Sequence, residues 1–261
     1  MANHQHSLSC YQNWMSQQRL DLEELLQGLT NFPTDPDYLR LLVKKNISHF
    51  EDYHAARAQL AKLNGPSFFA PAWGTTFENS SLWIGGCRPS LIIRLVYVLC
   101  GSHQTEHLAE FFEGVSRGDL GDISGAQLKS IDALHAKIVK DEDKLTSIFA
   151  SLQERIADEP LALLAYKCRN VGESSQREVV DRAMDGHALD MYKILMEADR
   201  LRLDILKRMI DILTPLQAVE FLAASKKLQL SLHEWSKSRD VQMGITQLLS
   251  TNNPSSSGGA P

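Results

Sequence analysis

The sequence predicts an all-α protein, a multi-helix bundle with long antiparallel helices. Three observations predict it. Apolar residues recur at steps of three and four along most of the 261-residue chain, the period of one helix face. Its nine prolines and fifteen glycines gather between those periodic stretches. Helix-start signals, a Ser or Thr with Gln three residues on, stand where long stripes begin. No convincing strand and no internal repeat is visible.

The first helix is expected over Leu8 to Leu29, with Met15, Leu22, Leu26 and Leu29 on one stripe. NFPTDPD (31–37) breaks it, and Thr34, followed by Pro36 and Asp37, opens a second helix to about Leu63. NGPSFFAPAWGTT (64–76) reads as an aromatic-rich loop. A short helix then runs to Gly85-Gly86, which stop it. Pro89 starts the next helix. Its run from Leu91 to Cys100 is apolar nearly all round and is expected at the centre of the bundle. GVSRGDLGD (114–122) is a linker. Ser124-x-x-Gln127 opens a long helix with Leu128, Ile131, Leu134, Ile138, Leu145, Ile148 and Leu152 on one face. A second long helix spans about Arg177 to Leu213, striped by Met191, Ile194, Ala198, Leu201, Ile205, Met209 and Ile212. Thr214-Pro215-x-Gln217 caps a last helix to about Asp240. Residues 1–249 form one helical domain in this reading, and 250–261, without apolar content, a disordered tail.

A formal net charge of −5 offers no whole-chain basic excess for nucleic acid or anionic membrane. The longest apolar stretch, SLIIRLVYVLC (90–100), is interrupted by Arg94 and too short to span a bilayer. No secretory signal opens the chain. The cysteines at 10, 87, 100 and 168 are scattered and are expected as reduced thiols. The Lys44-Lys45 and Lys226-Lys227 pairs read as solvated faces.

Three constellations could carry chemistry. HQTEH (103–107) fits the His-x-x-Glu-His pattern of inverted zinc proteases. A catalytic zinc needs a third protein ligand, and neither Glu173 nor Glu178 is marked as one, so no metal site is expected. GGCRPS (85–90) reads as a fixed corner between helices, with Cys87 a small buried filler. The sharper reading is a reactive Cys87 beside Arg88 at a helix start. SLHEW (231–235) places His233 one helical turn beyond Gln229, at the edge of an amphipathic face or as an axial haem ligand. The histidines at 4, 6, 49, 54, 135 and 187 read as isolated or exposed. No phosphate-binding glycine loop and no nucleophile elbow is present, and no catalytic residues are assigned.

LWIGGCRPSLIIRLVYVLCGS (82–102) resembles the plant delay-of-germination domain family. So do SCYQNWM (9–15), FFAPAWGTTFEN (68–79), LHAKIVKDEDKLTSIFASLQE (134–154) and ADRLRLDILKRMIDILTPLQAVEFLAASKKLQLSLHEWSKSRD (198–240). The resemblance spans roughly residues 9 to 240. The same domain forms the C-terminal part of TGA-type bZIP transcription factors, and their basic-leucine-zipper half is not expected here.

The resemblance implies a non-enzymatic regulator of seed dormancy and abscisic acid signalling. It would bind and inhibit clade A type 2C protein phosphatases, in nucleus and cytoplasm, without membrane attachment or sequence-specific DNA binding of its own. Self-association is a further expectation. The family's Tyr-x-x-Trp segment is implicated in the phosphatase contact, and Tyr11 and Trp14 keep that pair as an exposed anchor. Cys10, Gln12 and Asn13 stand where the relative is more acidic. The family is also linked to haem through two histidines one turn apart. His233 matches the second, and Gln229 replaces the first, so two-histidine ligation is excluded. The alternative functions are a module binding haem or another apolar ligand, with His233 nearby, and a transcriptional partner of bZIP factors. Trp73, Trp83, Arg88 and Trp235 are expected to define the fold.

Overall fold

A computed structural model describes residues 2–101, 119–157, 162 and 174–245. HQTEH, Cys168, Glu173 and the 250–261 tail lie outside the described residues. The architecture is all-α, with seven helices among the described residues: α1 (Ala2–Asn31), α2 (Pro36–Leu63), α3 (Thr76–Ser80), α4 (Ser90–Gly101), α5 (Gly125–Glu154), α6 (Ser174–Ile212) and α7 (Pro215–Gln242). Short 3-10 turns occupy Gly65–Phe68 and Asp119–Asp122.

Helix α1 packs on α2 and α7, α5 on α6, and α2 reaches both α6 and α7. One core cluster joins Leu25 and Leu29 of α1, Leu39 and Leu42 of α2, and Ile93 and Val96 of α4. It continues through Ile131 and Ile138 of α5, Ile205 and Met209 of α6, and Phe221 and Leu222 of α7. The α6 stripe holds as read: Ile194, Ala198, Ile205 and Met209 are buried. On α5, Ile131, Leu134, Ile138 and Leu152 are buried, whereas Leu128, at the start of the stripe, and Ile148, within it, are exposed.

The central helix is α7, not α4. Gln217 to Ala224 are buried without a break, all round the helix. Helix α4 buries Ile93 and Val96 and leaves Leu91 and Val98 half exposed. Small side chains explain the difference: Ala218, Ala223 and Ala224 let neighbouring helices close on α7 from every side.

Capping follows the sequence in two places and departs from it in two. Ser124/Gln127 and Thr214/Gln217 both form complete capping boxes. They are joined, because Gln127 Nε2 donates to Gln217 Oε1 at 2.7 Å and to the Ile212 carbonyl at 3.0 Å. The N-cap of α2 is Asp35 rather than Thr34; its carboxylate accepts from the Asp37 and Tyr38 amides. The short helix ends at Ser80, well before Gly85-Gly86. Between them the chain makes a two-residue turn, closed by paired backbone bonds between Trp83 and Gly86 at 2.8 and 3.2 Å.

Both central residues of that turn have positive φ, 44° at Ile84 and 67° at Gly85. This is the mirror-image turn that favours glycine. A β-branched residue there costs on the order of 1–3 kcal/mol. Two buried arginines hold it. Arg202 donates to the carbonyls of Trp83, Ile84 and Cys87, and Arg57 to that of Gly85. Both pair with Asp199, at 2.6 and 3.0 Å. Cys87 is exposed, so it fills no space; its carbonyl, not its thiol, secures the corner. Arg88 donates to the buried Glu142 at 2.6 Å, and the same carboxylate accepts the Ser90 amide at the start of α4.

Candidate functional site

Tyr11 and His233 meet on a third residue that the sequence reading did not name, Glu78. Helix α3 places it. Thr75 and Glu78 form a capping box, and α7 completes the cap from outside. Asp240 accepts the Thr76 amide at 2.9 Å and Ser236 the Phe77 amide at 3.3 Å. His233 lies one turn before Ser236, so α3 is held directly over it.

The Glu78 carboxylate gathers four donors. Oε2 accepts the Thr75 amide and hydroxyl at 3.0 and 2.7 Å. Oε1 accepts Tyr11 Oη at 2.9 Å and His233 Nδ1 at 3.0 Å. The Tyr11 hydroxyl and His233 Nδ1 are themselves 3.3 Å apart, and the rings meet edge to face. Burial alone would raise the Glu78 pKa, but the bonds from His233 and Thr75 outweigh it and bring it down to about 2. Burial and the adjacent Glu78 carboxylate together push the Tyr11 phenol up. The arrangement is a neutral phenol and an imidazole fixed on one carboxylate, and it ties α1, α3 and α7 together.

Trp14 is not an exposed anchor. It is buried, stacked on Tyr53 at 4.3 Å and edge-on to Phe50 at 4.9 Å. Tyr11, one turn earlier, is half-buried. The pair lies on the face of α1 that packs inward, where a flat indole buries far more apolar area than it could in water. Beneath Trp14 lies a buried ion pair, Lys226 Nζ to Asp21 Oδ2 at 2.9 Å, with Gln18 Oε1 at 3.0 Å. Lys226 is therefore no part of a solvated face. Burial lowers its pKa and Asp21 opposes that shift. His49 Nδ1 shares Asp21 at 2.8 Å.

A haem at this place would have His233 as its one histidine and would have to use the ring's Nε2, since Glu78 holds Nδ1. The His233 side chain is 12% exposed and its Nδ1 is held by Glu78. Gln229 points its amide at the Met15 sulfur, 4.0 Å away. The cavities at Phe69–Met191 and at His54–Leu203 are lined by other side chains.

Trp73 and Trp83 are structural as expected. Trp73 is buried against Phe68, and Trp83 lies under Arg202 and donates to Thr146 Oγ1 at 3.0 Å. Trp235 is different. It is 51% exposed, edge-on to Phe77, itself 43% exposed, with the Arg239 guanidinium over its ring. It sits at the rim because α3 ends the packing on that side of α7.

Comparison with known proteins places these features. A family model described as "DOG1: Seed dormancy control" matches residues 21–98. The chain is 42% identical to Protein DOG1-like 1 of Arabidopsis thaliana over 88% of this chain and 89% of that one. The chain belongs to the DOG1 family. Protein DOG1-like 3 of the same plant is 38% identical over 89% of this chain and 84% of its own. Similarity extends more weakly to Arabidopsis Transcription factor TGA5, 26% identical over 87% of this chain and 62% of that one. The DOG1 match at 21–98 takes in Asp21, Arg57, Glu78 and the Ile84–Arg88 corner.

Proposed function

We propose that this DOG1-family protein is a non-enzymatic regulator of seed dormancy that binds and inhibits type 2C protein phosphatases of abscisic acid signalling. Family membership supports the dormancy role. The observation that supports a protein contact is the exposed Phe77–Trp235 pair with Arg239, on the rim of the Tyr11–Glu78–His233 junction. Aromatic side chains beside an arginine, half open to solvent, are the composition of an interface anchor. In this reading Tyr11 and Trp14 act through position. They dock α1 and so fix α3 and the exposed pair, and Tyr11 reaches the edge of the contact. The phosphatase would bind in nucleus or cytoplasm.

The test is a titration into a clade A type 2C phosphatase assay, beside a Phe77→Ala/Trp235→Ala variant. Saturable inhibition is expected, weakened about 30-fold or more in the variant, as for loss of about 2 kcal/mol of contact. Inhibition that is absent, or equal in both proteins, contradicts the proposal.

A further inference from the structure

Among the described residues, His187 is the one histidine read as isolated that is buried: it is 9% exposed on α6. Among the described residues it has no hydrogen-bond partner. Its ring nitrogens are not among the fully buried unpaired atoms, so they stay open to cavity or solvent and can take a partner there. Its ring lines a cavity of about 300 Å³ between α5, α6 and the Ile84–Gly85 corner. Phe69 and Phe149, stacked at 5.1 Å, form one wall, and Met191 lies on α6 one turn beyond His187. Gln153 adds a second polar group. A mostly apolar cavity with few polar groups is the usual form of a small-molecule site, and this volume is at the small end of the range.

We propose that this cavity binds a small, mostly apolar molecule of one or two fused rings that carries a single hydroxyl or carboxylate. His187 hydrogen-bonds that group, and the Phe69–Phe149 wall takes the ring. The floor is the strained corner itself: Ile84 is buried, and the Ile84 and Gly85 carbonyls are held by Arg202 and Arg57. An occupant would therefore rest on the turn that both arginines stabilise. The site is separate from the Phe77–Trp235 surface, and its failure leaves the phosphatase reading untouched.

The test is calorimetric titration of the full chain with 2-naphthol and with 2-naphthoate. Two variants accompany it: His187→Phe, which keeps the ring and removes the hydrogen bond, and Ile156→Trp, which fills the cavity from its exposed rim. One site per chain is expected for at least one probe. Affinity should fall at least tenfold in His187→Phe and be lost in Ile156→Trp, with both variants melting cooperatively. No saturable binding of either probe up to millimolar concentration overturns the proposal. Equal affinity in both variants does so too, since the probe then sits elsewhere. Binding blocked by Ile156→Trp but unchanged in His187→Phe overturns the role of His187. If His187→Phe does not fold, the wild-type His187 ring resonances decide: a shift on adding probe supports the site, and none overturns it.

Discussion

At the scale of single residues, the acid response of the protein should run through Glu78. Its folded pKa is about 2 against an ordinary 4.5, so the protonated form is disfavoured by folding. Its contribution is present in full above about pH 4.5 and is lost as the pH falls toward 2. Glu78→Gln should cost about 1–3 kcal/mol at neutral pH. Denaturant melts across that window should then show a shallower acid loss than the wild type; parallel curves would contradict the assignment. Lys226→Met tests the second buried charge. It leaves Asp21 without its cation and is expected to cost about 3–5 kcal/mol in a urea melt; a loss under 1 kcal/mol would mean that Asp21 finds another partner. Neither residue was legible alone. Glu78 stood in view as the fourth residue of Thr75-x-x-Glu78, a helix-start signal that straddles the end of the stretch read as loop and the short helix read after it. Lys226 sits in a lysine pair, and only the approach of Asp21 from α1 makes it interior. Tyr11 was named through the resemblance and His233 already from SLHEW, but their meeting depends on three elements far apart in sequence.

At the scale of elements, the helices were legible where local chemistry decides them. The Ser124/Gln127 and Thr214/Gln217 boxes appear as read, because a cap is a contact between residues three apart. The depth of each helix was less legible. Helix α4 looked central from hydrophobicity, yet α7, with its alanines and buried Gln217, Glu220 and Lys226, occupies the middle. Hydrophobicity measures what a helix can bury, and side-chain size decides how closely its neighbours approach. The Gly85-Gly86 pair was read as a helix stop, whereas Gly85 serves a strained turn. A Cβ at Gly85 would meet Leu195 Cδ1 at 2.7 Å and the Phe68 carbonyl at 2.9 Å, with φ at 67°. Gly85→Ala should therefore destabilise by roughly 2–3 kcal/mol. Gly186→Ala, in open space on α6, should be neutral or slightly stabilising. Thermal melts of the two variants check the contrast, and equal melting temperatures would remove the argument for the corner.

At the scale of the whole molecule, three buried charged clusters tie the bundle across its helices. Asp21–Lys226 joins α1 to α7, Asp199 with Arg57 and Arg202 joins α2 and α6 to the corner, and Glu142 joins α5 to the start of α4. Such contacts specify which helices meet, and truncating one partner is costly. Among the described residues, the α3–α7 rim is one place where two large aromatic side chains face solvent together, Trp235 and Phe77. In the proposed function this rim is the phosphatase contact. Hydrogen-exchange mass spectrometry of the protein with and without a clade A type 2C phosphatase tests it most directly. Slower exchange is expected in residues 74–80 and 232–242 on complex formation, with the α5–α6 surface unchanged. Protection confined to α5 and α6, or none at any phosphatase concentration, would contradict it.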